Sequence, residues 1–393
     1  MKNHLTLTLY RDAAGFAALR DEWNDLLRRS RSDTIFLTWE WQTTWWRYLG
    51  ASRGPLYLLA AHDAGRLVGI LPLYLSDDAG LRTLQVVGCI EVSDYLDLIV
   101  EAGQEEPVYA AFLAWLTGPS TALRSAQDAS TPLHPIGGIL SGTERRVRSE
   151  VEGAGPDAPW WDMVDLCNQP AASLAHVQLA EMARAAGWAI EVFQEDVCPV
   201  ITLPRLEVTG ASESAGHFQM WESYLDSLDK KERHEIRRKL RRLEREAPEA
   251  QVRLVTGGPE LDAALATFIA LHRLSSRAKD AFMTDEMQDF FRAIAAILAE
   301  RGWLQLSFLE IAGQPVASYF CFDYRNQTLV YNSGYDPQAS PQLSPGWVLL
   351  ARLIEHAIAQ GRTRFDFLQG NEDYKHRFGG VDEPVYRTLI RGA

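Results

Sequence analysis

Three runs of alternating apolar and polar residues near the C-terminal end constrain the fold of this chain most. They cover residues 303–311, 315–324 and 328–334, and only short turns separate them. Alternation of this kind is typical of strands, and short turns join neighbouring antiparallel strands. The sequence therefore predicts an antiparallel sheet in this region.

A polar, proline-rich loop, a helix and a further strand are predicted to follow this sheet, over residues 336–345, 346–360 and 365–368. The first N–H groups of a helix lack partners within the helix and attract anions. The start of this helix is therefore a candidate site for a pyrophosphate. The candidate residues are Ser344, Gly346 and Trp347.

Ionisable residues crowd the segment directly after the last of these strands. Gly370 is followed by Asn-Glu-Asp-Tyr-Lys-His-Arg, which ends at Arg377. Ligands collect where the strands of open sheets end in tight turns, so this segment is a candidate site. The alternative is a solvated loop with internal ion pairs.

The length of 393 residues exceeds the about 250 to 300 residues that one hydrophobic core usually supports. An exposed connection is predicted over residues 206–218, where Gly and Ser are frequent. We therefore predict two domains, residues 1–205 and residues 206–393. Other elements predicted in the first half are strands over 188–193 and 198–203 and a loop over 118–159, with a short strand near 136–140.

The net charge of −13 argues against general binding to nucleic acid or anionic lipid, although a local basic patch can act against this background. No apolar run reaches the about 20 residues that span a bilayer, and the first residues lack the core of a signal peptide. We therefore expect a cytoplasmic protein without a transmembrane segment; its oligomeric state is not indicated. The cysteines are expected to be buried, reduced thiols: Cys89, Cys167, Cys198 and Cys321.

The most charged segment is a predicted basic helix over residues 229–246. Acidic residues lie three or four positions from several arginines, which favours a solvated helix with internal ion pairs. The alternative is a cationic face toward the phosphates of a cofactor or of a nucleotide-linked substrate. This face would consist of Lys231, Arg233, Arg237 and Arg241.

Several motifs give the sequence a resemblance to a known family. In the second half they are KKERHEIRRKLRRLE in the basic helix, QPVAS at 314–318, YNSGYDP at 331–337, SPG at 344–346 and FDFLQGNEDYKHRFG at 365–379. In the first half, FLTWEW at 36–41, the Trp pair at 45–46 and VGILPL at 68–73 fit the same pattern. With these motifs the chain resembles the GNAT-type acetyltransferases associated with cellulose biosynthesis, which are related to the Fem-type peptidyltransferases.

The resemblance implies an α+β fold of the three-layer α/β type, with two GNAT-like halves in tandem. Each half is expected to be a mixed, mostly antiparallel sheet flanked by helices. Acetyl-coenzyme A or another acyl-coenzyme A is the implied co-substrate, bound in the second half by the helix start and by Tyr331 and Asn332, and no metal is expected. GNAT enzymes usually carry Gln/Arg-x-x-Gly-x-Gly/Ala at the pyrophosphate loop, whereas this chain has Gln342-Leu-Ser-Pro-Gly-Trp.

N-acyl transfer needs a general base for the amine and a proton donor for the departing thiolate. The candidate bases are Asp366 on the last strand and Glu372 in the segment after it, and Tyr374 is the candidate proton donor. The residues expected to bind the substrate are Lys231, Arg237, His272, Arg277, Gly370, Lys375 and Arg377.

Three functions are compatible with these features. The leading hypothesis is an acyl-coenzyme A-dependent N-acyltransferase for a small-molecule amine or a sugar-linked amine in exopolysaccharide or cell-envelope metabolism. The second is Fem-like aminoacyl transfer from aminoacyl-tRNA, which alone would make nucleic acid a partner and which the net charge of −13 disfavours. The third is a non-catalytic GNAT-like module that binds a partner in polysaccharide assembly, which the unusual pyrophosphate loop favours.

Overall fold

The computed structural model describes residues 5–89, 92–118, 160–204 and 213–392 of the chain. The strands in these ranges belong to one thirteen-stranded sheet. They are β1 (Leu5–Tyr10), β2 (Leu56–Asp63), β3 (Arg66–Asp78), β4 (Leu81–Val86), β5 (Ile99–Val100), β6 (Met163–Pro170), β7 (Ala189–Thr202), β8 (Gln251–Val255), β9 (Leu304–Ile311), β10 (Gln314–Tyr324), β11 (Gln327–Tyr335), β12 (Arg364–Asp366) and β13 (Val381–Arg391).

Helices flank this sheet. In the described ranges they are α1 (Ala14–Arg29), α2 (Trp39–Trp45), α3 (Glu105–Thr117), α4 (Ala180–Ala185), α5 (Glu213–Ser227), α6 (Lys230–Glu246), α7 (Leu261–Ser275), α8 (Arg277–Phe282), α9 (Asp285–Glu300), α10 (Pro345–Ala359) and α11 (Asp373–Arg377). The predicted basic helix is α6, and the predicted helix after the proline-rich loop is α10.

Strand β10 shows how the alternating sequence places helices on both faces of the second half. Phe320 and Phe322 belong to the same buried cluster as residues of α7 and α9. Tyr319 and Cys321 belong to a second buried cluster, together with residues of α5, α6 and α10. Successive side chains of a strand point to opposite faces, so one apolar strand serves both clusters.

The strands lie in the order β1-β2-β3-β4-β6-β13-β7-β12-β11-β10-β9-β8, with β5 beside β3. Only the pairs β4–β6 and β11–β12 are parallel among the pairs in the described ranges. This arrangement confirms the predicted fold class, a mixed and mostly antiparallel sheet flanked by helices.

Strands from the two ends of the chain share the centre of the sheet. β13 lies between β6 and β7, and β7 also pairs with β12. The two halves are therefore joined by continuous backbone hydrogen bonding. The predicted domain boundary, between residues 205 and 206, falls within residues 205–212, which are outside the described ranges, so the division stays a prediction.

β11 and β12 part after a short stretch of pairing. Their parallel pairing covers three residue pairs and ends at Leu329 and Asp366. β11 continues beside β10 as far as Tyr335. The chain after β12 instead stays with β7, since the N–H of Phe367 donates to the carbonyl of Pro199 at 3.0 Å. The sheet is therefore open between β11 and the segment that follows β12.

Aromatic and polar contacts join the two halves on one face of the sheet. Trp41 of α2 packs edge-on against Tyr331 of β11, with the ring centroids 5.5 Å apart. The hydroxyl of Tyr331 donates to the carbonyl of Val92 at 2.9 Å. The hydroxyl of Tyr324 donates to the carboxylate of Asp33 at 2.7 Å. These buried contacts fix the first half against the strands that border the opening.

Three expectations from the sequence need correction. The strands predicted over 188–193 and 198–203 form one strand, β7, because β13 pairs with it along its length. Part of the predicted connection over 206–218 is helical, since α5 begins at Glu213. Cys89 and Cys167 form a disulfide, since the parallel pairing of β4 with β6 brings the chain segments that carry them together. Cys198 and Cys321 are buried and free, as expected. The strand predicted near 136–140 lies outside the described ranges.

Gly334 allows α7 to pack directly against β11. A Cβ atom at this position would lie 2.4 Å from the backbone nitrogen of His272. We expect Gly334→Ala to lower the free energy of unfolding by about 2 to 3 kcal/mol, because backbone has to move to make room. Urea denaturation followed by circular dichroism measures this change.

Gly346→Ala is the matched control, because a Cβ atom there would meet nothing within 4 Å. Its effect on the free energy of unfolding should stay within about 1 kcal/mol. Equal stability of the Gly334→Ala protein and the parent protein would contradict the close approach of α7 to β11.

Candidate active site

A cavity of ≈ 550 Å³ lies where β11 has parted from β12; we call it the cleft. Its walls come from the end of β11, the start of α10 and the short helix α11. Four of the residues predicted as site residues line it: Ser344, Gly346, Trp347 and Tyr374. The structure thus brings the predicted pyrophosphate segment and one predicted catalytic residue to the same cavity.

The start of α10 presents free backbone donors at the cleft. Ser344 has a left-handed backbone conformation, with φ 53°, and its carbonyl accepts the N–H of Val348 at 3.1 Å. Pro345 has no N–H, and the N–H groups of Gly346 and Trp347 have no partner among the described residues. The space beside Gly346 is also open. These two amides at the positive end of the helix dipole therefore suit a phosphate oxygen.

Tyr374 and Glu372 lie next to each other on the far side of the opening. Tyr374 lines the cleft, and burial raises the pKa of its hydroxyl, with a smaller contribution from the carboxylate of Glu372. The Tyr374 hydroxyl is therefore protonated at neutral pH and can donate a proton. The side chain of Glu372 is 58% exposed, and its carboxylate pairs with Lys375 at 2.9 Å.

Lys375 is buried and holds the segment after β12 in place. Its ammonium donates to the carbonyls of Leu368, Gln369 and Gly370, at 3.1, 2.6 and 3.0 Å. The side chain is only 3% exposed. An ammonium has three N–H bonds, and these three carbonyls use them. The structure therefore gives Lys375 a positioning task in place of the substrate contact predicted from the sequence.

Gly370 takes part in the same arrangement. Its φ of 112° is disfavoured for other residues, and a Cβ atom would lie 2.5 Å from a carboxylate oxygen of Glu372. The N–H of Gly370 donates to the carbonyl of Val197 at 3.1 Å. The positive φ of Gly370 thus lets the chain turn after its hydrogen bond with β7 and continue to Glu372. The predicted contact of Gly370 with substrate stays a prediction.

Asp366 lies away from the cleft, in the junction with the first half. One oxygen accepts the N–H of Leu368 at 2.7 Å and the other accepts the hydroxyl of Tyr95 at 3.0 Å. Burial raises the pKa of the carboxyl to about 6. Both oxygens of this buried carboxyl are thus engaged in the junction, and the predicted role of Asp366 as a general base stays a prediction.

Asp94 is a titratable residue that the sequence reasoning missed. It belongs to the first half, yet its carboxylate accepts the N–H of Gln369 and lies near Lys375 and Asp366. Burial raises the pKa of Asp94 to about 7, although the charge of Lys375 opposes this shift. Nothing in the local sequence points to this residue, because its neighbours come from a segment more than 200 positions away.

Lys279 of α8 was also missed, and it contacts the cleft wall. Its ammonium donates to the carbonyl of Ser333 and lies 3.2 Å from the hydroxyl of the same residue, which lines the cleft. Burial lowers the pKa of Lys279 to about 8, and the carboxylate of Glu372 opposes this shift. Lys279 therefore places a cationic group against the β11 wall of the cleft.

The other predicted site residues on β11, α7 and α8 lie outside the lining of the cleft. His272 is buried, and burial together with the charge of Lys279 lowers its pKa to about 4, although a hydrogen bond with Asn332 opposes this. The imidazole is therefore neutral at pH 7. Tyr331 is half-buried in the aromatic contact between the halves, and Arg277 is exposed at the start of α8. None of these four side chains lines the cleft.

The predicted cations of α6 and α11 differ in how they are paired. Arg237 forms an ion pair with Glu222 of α5, which links helices α5 and α6. Lys231 is 88% exposed, with Glu232 at 4.0 Å. The guanidinium of Arg377 lies over the ring of Trp347, 4.5 Å from its centroid, and pairs with Glu232 at 2.9 Å. Arg377 thus packs on Trp347, which lines the cleft, but does not line the cleft itself.

Comparison with known proteins supports the interpretation of this half. Residues 230–376 match the family model of the acetyltransferase (GNAT) domain. This range contains α6, the opening between β11 and β12, and nearly all of α11. No curated protein matches the sequence.

Solved structures share the fold over nearly the whole chain. FemX superimposes with a TM-score of 0.57 at 9% sequence identity, covering 94% of this chain and 95% of FemX. A conserved protein of unknown function from Bacteroides thetaiotaomicron gives a TM-score of 0.54 at 9% identity, covering 98% and 100%. A tandem GNAT protein from the clavulanic acid biosynthesis pathway gives 0.47 at 14% identity, covering 99% of both chains. The likeness to FemX and to the Bacteroides protein concerns the fold alone at these identities.

Two kinds of feature are absent from the described ranges. None of the helices there is long and apolar enough to cross a bilayer. No group of three or more His, Cys, Asp or Glu side chains in those ranges is arranged to hold a metal ion.

Lys375→Met tests the positioning task of Lys375. We expect it to lower the free energy of unfolding by about 2 to 4 kcal/mol, because three buried carbonyls lose their charged donor. Urea denaturation at pH 7 measures the change. Glu372→Gln is the comparison, because it removes only the exposed partner of the ion pair and should cost less than about 1 kcal/mol. A larger loss in Glu372→Gln than in Lys375→Met would show that the ion pair, and not the carbonyl contacts, holds the segment.

Proposed function

We propose that this protein is an acyl-coenzyme A-dependent N-acyltransferase that binds the thioester in the cleft. The observation that carries the proposal is the opening between β11 and β12 beside the free amides of α10, within the range that matches a GNAT acetyltransferase domain. An extended chain can enter beside β11, and its phosphates can meet the amides of Gly346 and Trp347.

The cleft lining suits such a ligand. Leu350, Pro337 and Pro341 provide apolar wall, as an alkyl arm requires. Coenzyme A would supply the acyl group as an activated thioester. The unusual Gln342-Leu-Ser-Pro-Gly-Trp segment is compatible with this, because Pro345 occupies a first-turn position where an N–H would be free in any case.

We assign the proton transfers to Glu372 and Tyr374. The exposed carboxylate of Glu372 would remove a proton from the attacking ammonium, which makes the nitrogen nucleophilic. The new C–N bond forms as the C–S bond breaks, and the hydroxyl of Tyr374 would give its proton to the departing thiolate. The second proton that the nitrogen loses as the amide forms would restore the hydroxyl of Tyr374.

The acceptor that we propose is an amine or a sugar-linked amine of exopolysaccharide or cell-envelope metabolism. The support for this class is the resemblance of the sequence motifs to acetyltransferases associated with cellulose biosynthesis. A panel of amino sugars and diamines, assayed by release of free thiol from acetyl-coenzyme A, tests the acceptor class.

Isothermal titration with acetyl-coenzyme A tests binding in the cleft. We expect one site per chain with a dissociation constant in the range of about 1 μM to 1 mM, which is usual for enzyme substrates. Gly346→Glu should abolish binding, because it places a carboxylate beside the free amides of α10. Failure of the parent protein to bind acetyl-coenzyme A would contradict the proposed function and would favour aminoacyl-tRNA as donor or a non-catalytic role.

Tyr374→Phe tests the proton donor. We expect kcat to fall by about 10²-fold while KM for acetyl-coenzyme A changes less than about threefold, because the hydroxyl acts only in the transition state. Thiol release under saturating acceptor measures both constants. Tyr335→Phe is the matched control, since Tyr335 also lines the cleft but its side chain is 41% exposed. An equal loss of kcat in both variants would contradict the assignment of Tyr374.

A further inference from the structure

A second cavity of ≈ 650 Å³ lies beside the cleft, between the first turns of α6 and the end of α11. We call it the basic cavity. It is lined by Lys230, Lys231, His234, Glu235 and Arg377. Three of these residues are cations at neutral pH and one is an anion, so the lining carries an excess of positive charge.

The one carboxylate in this lining is already paired with cations outside it. Glu235 binds Arg238 at 2.8 Å and Lys239 at 3.5 Å. The hydrogen bond from Arg238 lowers the pKa of Glu235 to about 2, so the carboxylate stays ionised at any physiological pH. Glu235 therefore forms its ion pairs with Arg238 and Lys239, and it does not neutralise Lys230 and Lys231 in the basic cavity.

Few negative charges lie close to Lys230 and Lys231 among the described residues. Glu232 lies 4.0 Å from Lys231 but accepts a hydrogen bond from Arg377 at 2.9 Å. No ion pair of Lys230 is found among the described residues, and both lysine side chains are exposed. A lining with this charge and this size suits a phosphate group, since charge-assisted bonds to several donors hold phosphate oxygens.

Trp347 connects the basic cavity with the cleft. One face of its ring lies against Arg377, which lines the basic cavity, and Lys239 lies 4.2 Å from the ring centroid. Trp347 itself lines the cleft. A ligand whose reacting end lies in the cleft can thus reach the basic cavity by passing the edge of one side chain.

We propose that the basic cavity is a phosphate-binding site for a ligand whose reacting end occupies the cleft. Two ligands could supply the phosphate: the phosphorylated nucleotide part of coenzyme A, or a nucleoside diphosphate carried by the acceptor. The identity of the ligand rests on the proposed acyltransferase function, whereas the anion site does not.

The double variant Lys230→Ala/Lys231→Ala of the full chain tests the site. Its matched control is Arg241→Ala/Arg245→Ala, which removes two exposed cations from later turns of the same helix, away from the basic cavity. The probes are pyrophosphate, coenzyme A, dephospho-coenzyme A and uridine diphosphate, titrated calorimetrically at low and at physiological ionic strength. Thermal unfolding of both variants confirms that they fold.

We expect at least one probe to lose about tenfold or more in affinity in the lysine variant and less than about twofold in the control, with the difference shrinking as salt screens the charges. A loss for coenzyme A but not for dephospho-coenzyme A assigns the site to the 3′-phosphate of the coenzyme. Equal losses for both assign it to the diphosphate of the coenzyme. A loss for uridine diphosphate alone assigns it to the acceptor.

Equal affinities of the lysine variant and the control for all four probes would overturn the proposal. So would failure of the parent protein to bind any of them. If the parent protein binds pyrophosphate or uridine diphosphate through these lysines but does not bind coenzyme A, the anion site stands and the acyltransferase proposal fails.

Discussion

The early end of the pairing between β11 and β12 is the constraint on which the site depends. Backbone N–H and C=O groups inside a protein need partners, so a sheet can open only where other groups replace the lost bonds. Here carbonyl groups of β7 accept hydrogen bonds from the N–H groups of Phe367 and Gly370, in the segment that no longer pairs with β11. The ammonium of Lys375 satisfies the carbonyls of three successive residues at the turn. One strand and one buried cation thus provide partners for the segment that follows β12.

The first half of the chain supports the same opening from the other side. It contributes β7, and its segment around Asp94 and Tyr95 contacts the turn after β12 through Gln369 and Asp366. The contact of Tyr331 with Val92 anchors β11 at the residues where it leaves β12. Whatever chemistry the first half performs itself, it is needed to shape a cavity whose lining comes from the second half.

The order of elements was predictable from the sequence, because alternation and capping act over a few residues. The three antiparallel strands, the basic helix and the helix at Pro345 follow from such local patterns. The joining of β13 with β6 and β7 was not predicted, since strand pairing between distant segments leaves no local signal. The continuous β7 and the disulfide between Cys89 and Cys167 escaped prediction for the same reason.

The structure brings some of the predicted site residues to one cavity and buries others. Ser344, Gly346, Trp347 and Tyr374 line the cleft, whereas Asp366 and Lys375, only a few positions from Tyr374, are buried in supporting contacts. A sequence shows that ionisable residues are present, but it does not show which of them are already paired. Arg237 and Lys231 are cations of the same helix, yet Glu222 binds the first, while the second is exposed.

The position of β13 between β6 and β7 has a consequence for how the protein folds. Arg387 of β13 binds Asp165 of β6 at 2.6 Å across 222 positions of sequence. A sheet whose centre contains pairs of strands from distant segments cannot assemble progressively along the chain. Forming such a pair first requires closing a long loop, which costs conformational entropy before the stabilising contacts form. The first half therefore reaches its final sheet only after the second half has been made, and until then β6 and β7 offer unpaired edges to other chains.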